Sequence, residues 1–112
     1  MILRSDIENV FGKTNVVAWA DLDNQRDSSH VADRVAAAIV YAETRFTELT
    51  SLTTEPGTSK DVKARIAGIW LYESRGIVEE KSPVEHHKKF VMQWVQERAH
   101  GRHSLATAPF GL

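Results

Sequence analysis

The sequence predicts an all-α domain: a small bundle of about four helices, with a short helix at the N-terminus and an irregular tail at the C-terminus. Three observations lead there. Apolar residues recur at steps of three and four over several segments. Those segments are punctuated by Ser or Thr at their starts and Gly or Pro at their ends. No two alternating β-branched runs offer each other a strand partner. The 112 residues suffice for about one domain and are too few for two independent cores. The expected organisation is therefore a single helical domain over residues 1–105 and an apolar tail over 106–112.

The first element is read from Ser5-Asp6-Ile7-Glu8, which has the form of a capping box with Ser at the N-cap and Glu at N3. Ile7, Val10 and Phe11 follow at helical spacing and Gly12 suits a helix stop, so a helix is expected over about 5–11. The apolar run Val16-Val17-Ala18-Trp19-Ala20 is short, but with no strand to pair with it is read as helix. A polar loop, Asp21 to Ser29, feeds the clearest helix of the chain. Ser28 or Ser29 caps it, and Val31, Val35, Ala38, Ala42, Phe46 and Leu49 form one stripe. Ala36, Val40 and Tyr41 are expected to widen the buried face. Pro56-Gly57 then breaks the pattern between Thr50 and Gly57.

The next helix runs from about Thr58 or Ser59 to Arg75 and stops at Gly76. Val62, Ile66, Ile69 and Trp70 make one stripe, and Ala64, Ala67 and Leu71 extend it, which places this helix at the centre of the bundle. Gly68 costs about 1 kcal/mol of helix propensity against Ala, and close approach by another helix is the reason expected for it. The last helix has Ser82 as cap, Pro83 at N1 and Glu85 completing a box. Val84, His87, Val91, Trp94, Val95 and Arg98 line one face, with Phe90 beside it, and Gly101 ends it. The core is expected to centre on Ile39, Phe46, Ile66, Ile69, Trp70, Val91 and Trp94. Arg102 to Leu112 shows no periodicity.

Composition narrows the function classes. Fourteen basic and fifteen acidic residues leave a net charge of -1, without the basic excess expected of a nucleic-acid or membrane-surface binder. The absence of Cys excludes disulfides, a thiolate zinc site and a Cys nucleophile. No apolar run approaches the roughly 20 residues that span a bilayer, and Met1-Ile2-Leu3-Arg4-Ser5 does not read as a signal peptide, so a cytoplasmic setting is expected. Residues 1–57 hold five basic and nine acidic groups, and residues 58–112 nine and six. That dipolar split is too weak for a nucleic-acid footprint but could orient identical subunits head to tail.

Each chemical motif falls short of its requirements. Asp21, Asp23 and Asp27 alternate like a calcium loop, but loop positions 6 and 12 hold Arg26 and Ala32 where Gly and Glu are needed, so a solvated turn is the reading. The five histidines include adjacent His86 and His87, which leave a helix about 100° apart, and His100 and His103, which straddle Gly101. No metal spacing results. There is no nucleophile elbow and no glycine-rich phosphate loop. The Glu79-Glu80 pair lies in a polar connection. The inter-helix links are too long for a helix-turn-helix. No catalytic residue, cofactor site, metal site or small-molecule substrate is predicted.

The order of these elements resembles the small tail-proximal morphogenesis proteins of tailed phages. It is most similar to the Mu-type family of virion-assembly proteins, and more distantly to head–tail connector adaptors. The matching features are the capped helix ending in Phe11-Gly12, the Asp21-x-Asp23 loop, and the Ala- and β-branched helix ending at Leu49. They continue with the Pro56 loop, the helix carrying Lys63, Ala67 and Leu71-Tyr72, and Gly101 followed by Ser104-Leu105. The likeness covers about residues 2–105. Those families often have a Pro-rich stretch before the third helix, where this chain has Thr50-Ser51-Leu52-Thr53-Thr54 and a single Pro56.

The resemblance implies a structural, non-enzymatic protein of the virion, present in the host cytoplasm during assembly. It would self-associate into a ring and contact portal or tail proteins. Leu105, Pro109, Phe110 and Leu112 are the expected partner contacts, because no local element in the sequence can bury the tail's Phe and Leu. A helical regulatory or scaffolding protein of a prophage or bacterium, binding one protein partner, is the alternative.

Overall fold

The computed structural model describes residues 1–50, 59–77 and 79–97. Five α-helices follow one another: α1 (Arg4–Phe11), α2 (Lys13–Ala20), α3 (Ser28–Thr50), α4 (Ser59–Glu73) and α5 (Glu85–Val95), with a 3-10 turn at Leu22–Asn24. The all-α bundle expected from periodicity is the fold. Among the described residues no helix is long and apolar enough to cross a membrane.

The helix starts depart from the sequence reading at two places, where aspartates bond the first-turn amides: Asp6 at N3 takes the role expected of Glu8, and Asp27 the cap expected of Ser28 or Ser29. In α1 the Asp6 carboxylate accepts the Leu3 amide at 2.7 Å, so the helix begins at Arg4 with Leu3 as N-cap. Glu8, expected to close a box with Ser5, accepts from Arg4 Nε at 3.0 Å. In α3 the cap is Asp27, whose Oδ1 accepts the Ser29 amide at 2.9 Å and lies 3.4 Å from that of His30. Ser82 does cap locally, with its hydroxyl accepting the Val84 amide at 3.2 Å. That bond closes a lead-in turn, and α5 itself starts at Glu85.

Gly12 joins α1 to α2 at φ +93, a left-handed value open to glycine at little cost. Its amide donates to the Glu8 carbonyl at 2.8 Å, and its carbonyl accepts the Val16 amide at 3.1 Å. The corner lets Ile7, Phe11, Val16 and Trp19 all reach the core.

Helix α4 packs against all four of the others, which explains its apolar surface. Val62, Ala64, Ile66, Ala67, Leu71 and Tyr72 are buried around its circumference. Gly68 meets the Phe11 ring so closely that a Cβ there would lie 2.0 Å from Cε2. The close approach expected at Gly68 is thus made by one aromatic ring of α1.

The stripe of α3 is buried at Val31, Val35, Ala38, Ala42 and Phe46. The widening residues are not: Ala36 is exposed, Val40 is 58% exposed and Tyr41 41%. Tyr41 reaches only the edge of α4, where it stacks on Trp70, and the exposed sides of Ala36 and Val40 are left uncovered by any described element. Of the expected core, Phe46, Ile66, Val91 and Trp94 are buried, whereas Ile39, Ile69 and Trp70 pack only partly against it. Val84, just before α5, and His87, Val91, Trp94 and Val95 within it are buried as the spacing predicts. The Pro56-Gly57 break, Arg98, the Gly101 stop and the whole of 102–112 lie outside the described residues.

Candidate functional site

Helices α3 and α5 flank α4, and Phe46 of α3 touches Trp94 of α5 with ring centroids 5.7 Å apart. Beside that contact a groove of about 440 Å³ opens over α4, within the range of ligand and peptide pockets. Its floor is Ile66, Ile69 and Trp70 of α4. Tyr41 and Leu49 form one wall and Val91 the other.

Trp70 is held in place from two sides. Tyr41 stacks on it at 5.8 Å with an interplanar angle of 27°, and the Arg34 guanidinium lies 4.7 Å from its ring centroid. Arg34 is itself fixed by donating to Ser74 Oγ at 2.9 Å. A clamped indole next to apolar side chains is a preformed contact surface, and aromatic anchors of this kind dominate binding energy at interfaces.

The groove's rim is charged. Lys88 Nζ pairs with Glu73 at 2.9 Å and Arg45 with Glu48 at 3.3 Å. The hydrogen bond to Glu73 holds the Lys88 ammonium above its ordinary pKa. Half-exposed pairs of this type contribute no more than about 1 kcal/mol, so an incoming charged group can re-partner either cation at small cost.

A second polar cluster lies where α1, α4 and α5 meet. Arg65 donates from Nε to Asp61 at 3.0 Å, and its Nη1 lies 2.8 Å from His87 Nδ1. A guanidinium has only donors, so Nδ1 is the acceptor and His87 is neutral, with its proton on Nε2. The ring sits 4.5 Å from that of Phe11 and 3.9 Å from that of His86. Burial first, then the positive neighbours His86 and Arg65, pull the His87 pKa down to about 4. The face of Arg65 also covers the Phe90 ring at 4.0 Å. This cluster docks α5 onto α4 and α1.

The residues singled out for metal chemistry have structural tasks. Asp21 accepts the Gln25 amide at 2.9 Å and that of Arg26 at 3.1 Å, holding a turn in which Asp23, Asn24 and Arg26 take positive φ. His30 Nε2 accepts the Leu22 amide at 3.2 Å. No group of three or more potential metal ligands occurs among the described residues. Glu79 bonds the Tyr72 hydroxyl and Arg75, which together draw its pKa down.

Leu105, Pro109, Phe110 and Leu112, and with them His100 and His103, lie outside the described residues. The groove itself was missed by sequence reasoning, which assigned Tyr41 and Trp70 to the core. The signal was the excess width of the apolar face on α3, where Val40 and Tyr41 extend a stripe already sufficient to bury one side. Comparison with family models, curated proteins and solved structures returns no match.

Proposed function

We propose that the chain is a structural morphogenesis protein of a phage or prophage. In this reading it is a head–tail connector adaptor acting by self-association and contact with portal or tail proteins, without a catalytic group. The carrying observation is the groove over α4: an apolar floor with a clamped Trp70 and a re-pairable charged rim, which suits contact with another protein chain. The order of helices, similar to that of virion-assembly proteins, supports the same reading. The alternative, a prophage or bacterial regulatory protein with one protein partner, would use the same groove.

Mass in solution and electron microscopy distinguish the two. An adaptor forms rings, alone at high concentration or on a portal template, and Tyr41→Ser abolishes them while the protein stays folded. In phage lysates lacking the gene, DNA-filled heads without tails accumulate. Infectious particles made normally in its absence would reject the adaptor reading. A complex limited to one protein partner in one-to-one ratio would favour the alternative.

A further inference from the structure

We propose that α5 is a proton-operated arm: uptake of one proton by His87 releases α5 from α4 and α1 as a unit, while α1 to α4 stay folded. This device is independent of the phage reading, since it belongs to the chain by itself.

The helices are joined in a way that permits such a release. Each of α1, α2, α3 and α4 packs against the other three, so these four hold together through contacts that do not involve α5. Helix α5 packs along α4. Beyond α4 it is held by ring contacts, Trp94 to Phe46 of α3 and His87 to Phe11 of α1. Lifting it uncovers Phe46 and removes the Val91 wall of the groove, and leaves the mutual packing of the other four in place.

The chemistry of the release sits where α5 meets both partners. His87 is buried there, with Nδ1 accepting from Arg65 Nη1 at 2.8 Å. Arg65 is held on two further sides, by Asp61 at 3.0 Å from its Nε and by the Phe90 ring at 4.0 Å from its face. It therefore cannot swing away when Nδ1 takes a proton. That proton displaces the hydrogen bond and sets an imidazolium directly against a guanidinium. The charged and titratable groups acting on the ring are Arg65 and Asp61 of α4 and His86 of α5, while α1 meets it with the Phe11 ring. Asp61 draws the proton on, but its carboxylate is already bonded to Arg65. Release returns the ring to water and separates it from Arg65, so the charged form favours the released arm. The docked ring accordingly titrates at about 4 rather than 6.5. Docking is thus complete above about pH 6.5, and the release constant climbs by up to about tenfold per pH unit as pH falls from there toward 4.

The three tryptophans stand on three helices, Trp19 on α2, Trp70 on α4 and Trp94 on α5, so each indole N–H signal reports one element. Between pH 7 and 4.5, amide-exchange protection in α5 should fall about fiftyfold. The opening that exchanges α5 should depend less on urea than the opening that exchanges α2 and α3, because less surface is uncovered. In His87→Gln, whose amide oxygen accepts from Arg65 but takes no proton, the fall should be less than about fivefold. His87→Lys carries the charge permanently, so at pH 7 its Trp94 signal should move to the unfolded position while that of Trp19 stays native. Equal protection and equal urea dependence in α5, α2 and α3 would overturn the proposal, as would a fall in His87→Gln matching that of the parent. So would a native Trp94 signal in His87→Lys, or the joint loss of Trp94 and Trp19 signals there.

Discussion

Gly68→Ala is the sharpest test of how the bundle is assembled, because local and tertiary physics predict opposite signs. In an isolated helix the change gains about 1 kcal/mol, since alanine is the better helix former. In the folded protein the new methyl would lie 2.0, 2.5 and 2.6 Å from three atoms of the Phe11 ring. Carbon atoms settle at about 3.5–4.0 Å, so the ring must retreat by roughly 1.5 Å. It has nowhere convenient to go. Trp19 meets it edge-on at 5.4 Å and His87 lies at 4.5 Å, so a shift displaces α2 or α5 as well. Overpacking of this kind costs about 1–3 kcal/mol, and against the helix gain the larger values must prevail here because two neighbours move. The expected net loss is about 1–2 kcal/mol in urea denaturation with an unchanged m-value, or several degrees in melting temperature. Phe11→Leu should relieve the clash, so Gly68→Ala costs less, or stabilises, in that background. A Gly68→Ala protein as stable as the parent, or more so, would refute the packing of α1 onto α4.

Four further outcomes follow from the same contacts. Trp94→Ala should cost about 3–5 kcal/mol in urea denaturation, and Trp70→Ala at least about 1 kcal/mol less, because Trp70 borders the open groove; equal losses would put Trp70 in the core after all. Asp27→Ala should lower stability by about 1 kcal/mol, while Ser28→Ala and Ser29→Ala change it little, which a shared denaturation midpoint among the three would contradict. Glu43→Ala should cost about 3 kcal/mol, because Glu43 accepts from Lys63 at 2.7 Å and from the Ile2 amide at 2.7 Å while Lys63 is only 3% exposed; adding Lys63→Met should restore part of the loss, and no recovery would mean the charge is not the cause. His87 titrates near pH 4 in the folded chain and near 6.5 when unfolded, so the unfolded state binds the extra proton between those values. Stability should be full above about pH 6.5 and fall by about 2–3 kcal/mol toward pH 4, and a His87→Gln protein that keeps the same slope would exonerate this ring.

What the sequence made legible is what depends on one helix at a time. Val84, His87, Val91, Trp94 and Val95 share a face by spacing alone, and all five are buried. The stripe from Val31 to Phe46 is legible for the same reason. Caps were harder because serine and aspartate are nearly equivalent at that position. When Asp6 or Asp27 stands within two residues of Ser5 or Ser28, only backbone geometry decides which oxygen meets the free amides. Burial of a second face was not legible at all. Spacing tells that Val40 and Tyr41 extend the apolar side of α3, but whether another element lies there is a fact of tertiary arrangement. The same limit hid the partners of Lys63 and His87, since Glu43 and Arg65 stand 20 and 22 residues away in sequence.

The groove's two walls are fastened by different kinds of interaction, and this bears on how the site can change. The α3 wall is tied to α4 through the apolar stripe and through Glu43, which joins Lys63 of α4 to the backbone at Ile2. The apolar stripe is buried, and Lys63 is only 3% exposed. The α5 wall is shorter and rests on the Phe46–Trp94 contact at one place and on His87 between Phe11 and Arg65 at another. Protonating His87 removes the acceptor for Arg65 and puts a second cation beside it, so acid weakens the α5 attachment while leaving the α3 attachment alone. Val91 and Lys88, the α5 residues of the groove, lie four residues and one residue beyond His87. The floor and the α3 wall, with Trp70 clamped by Arg34 and Tyr41, therefore form the fixed half of the site. Adjustment to an occupant falls to α5, and a stiffer α5 attachment would narrow what the groove accepts.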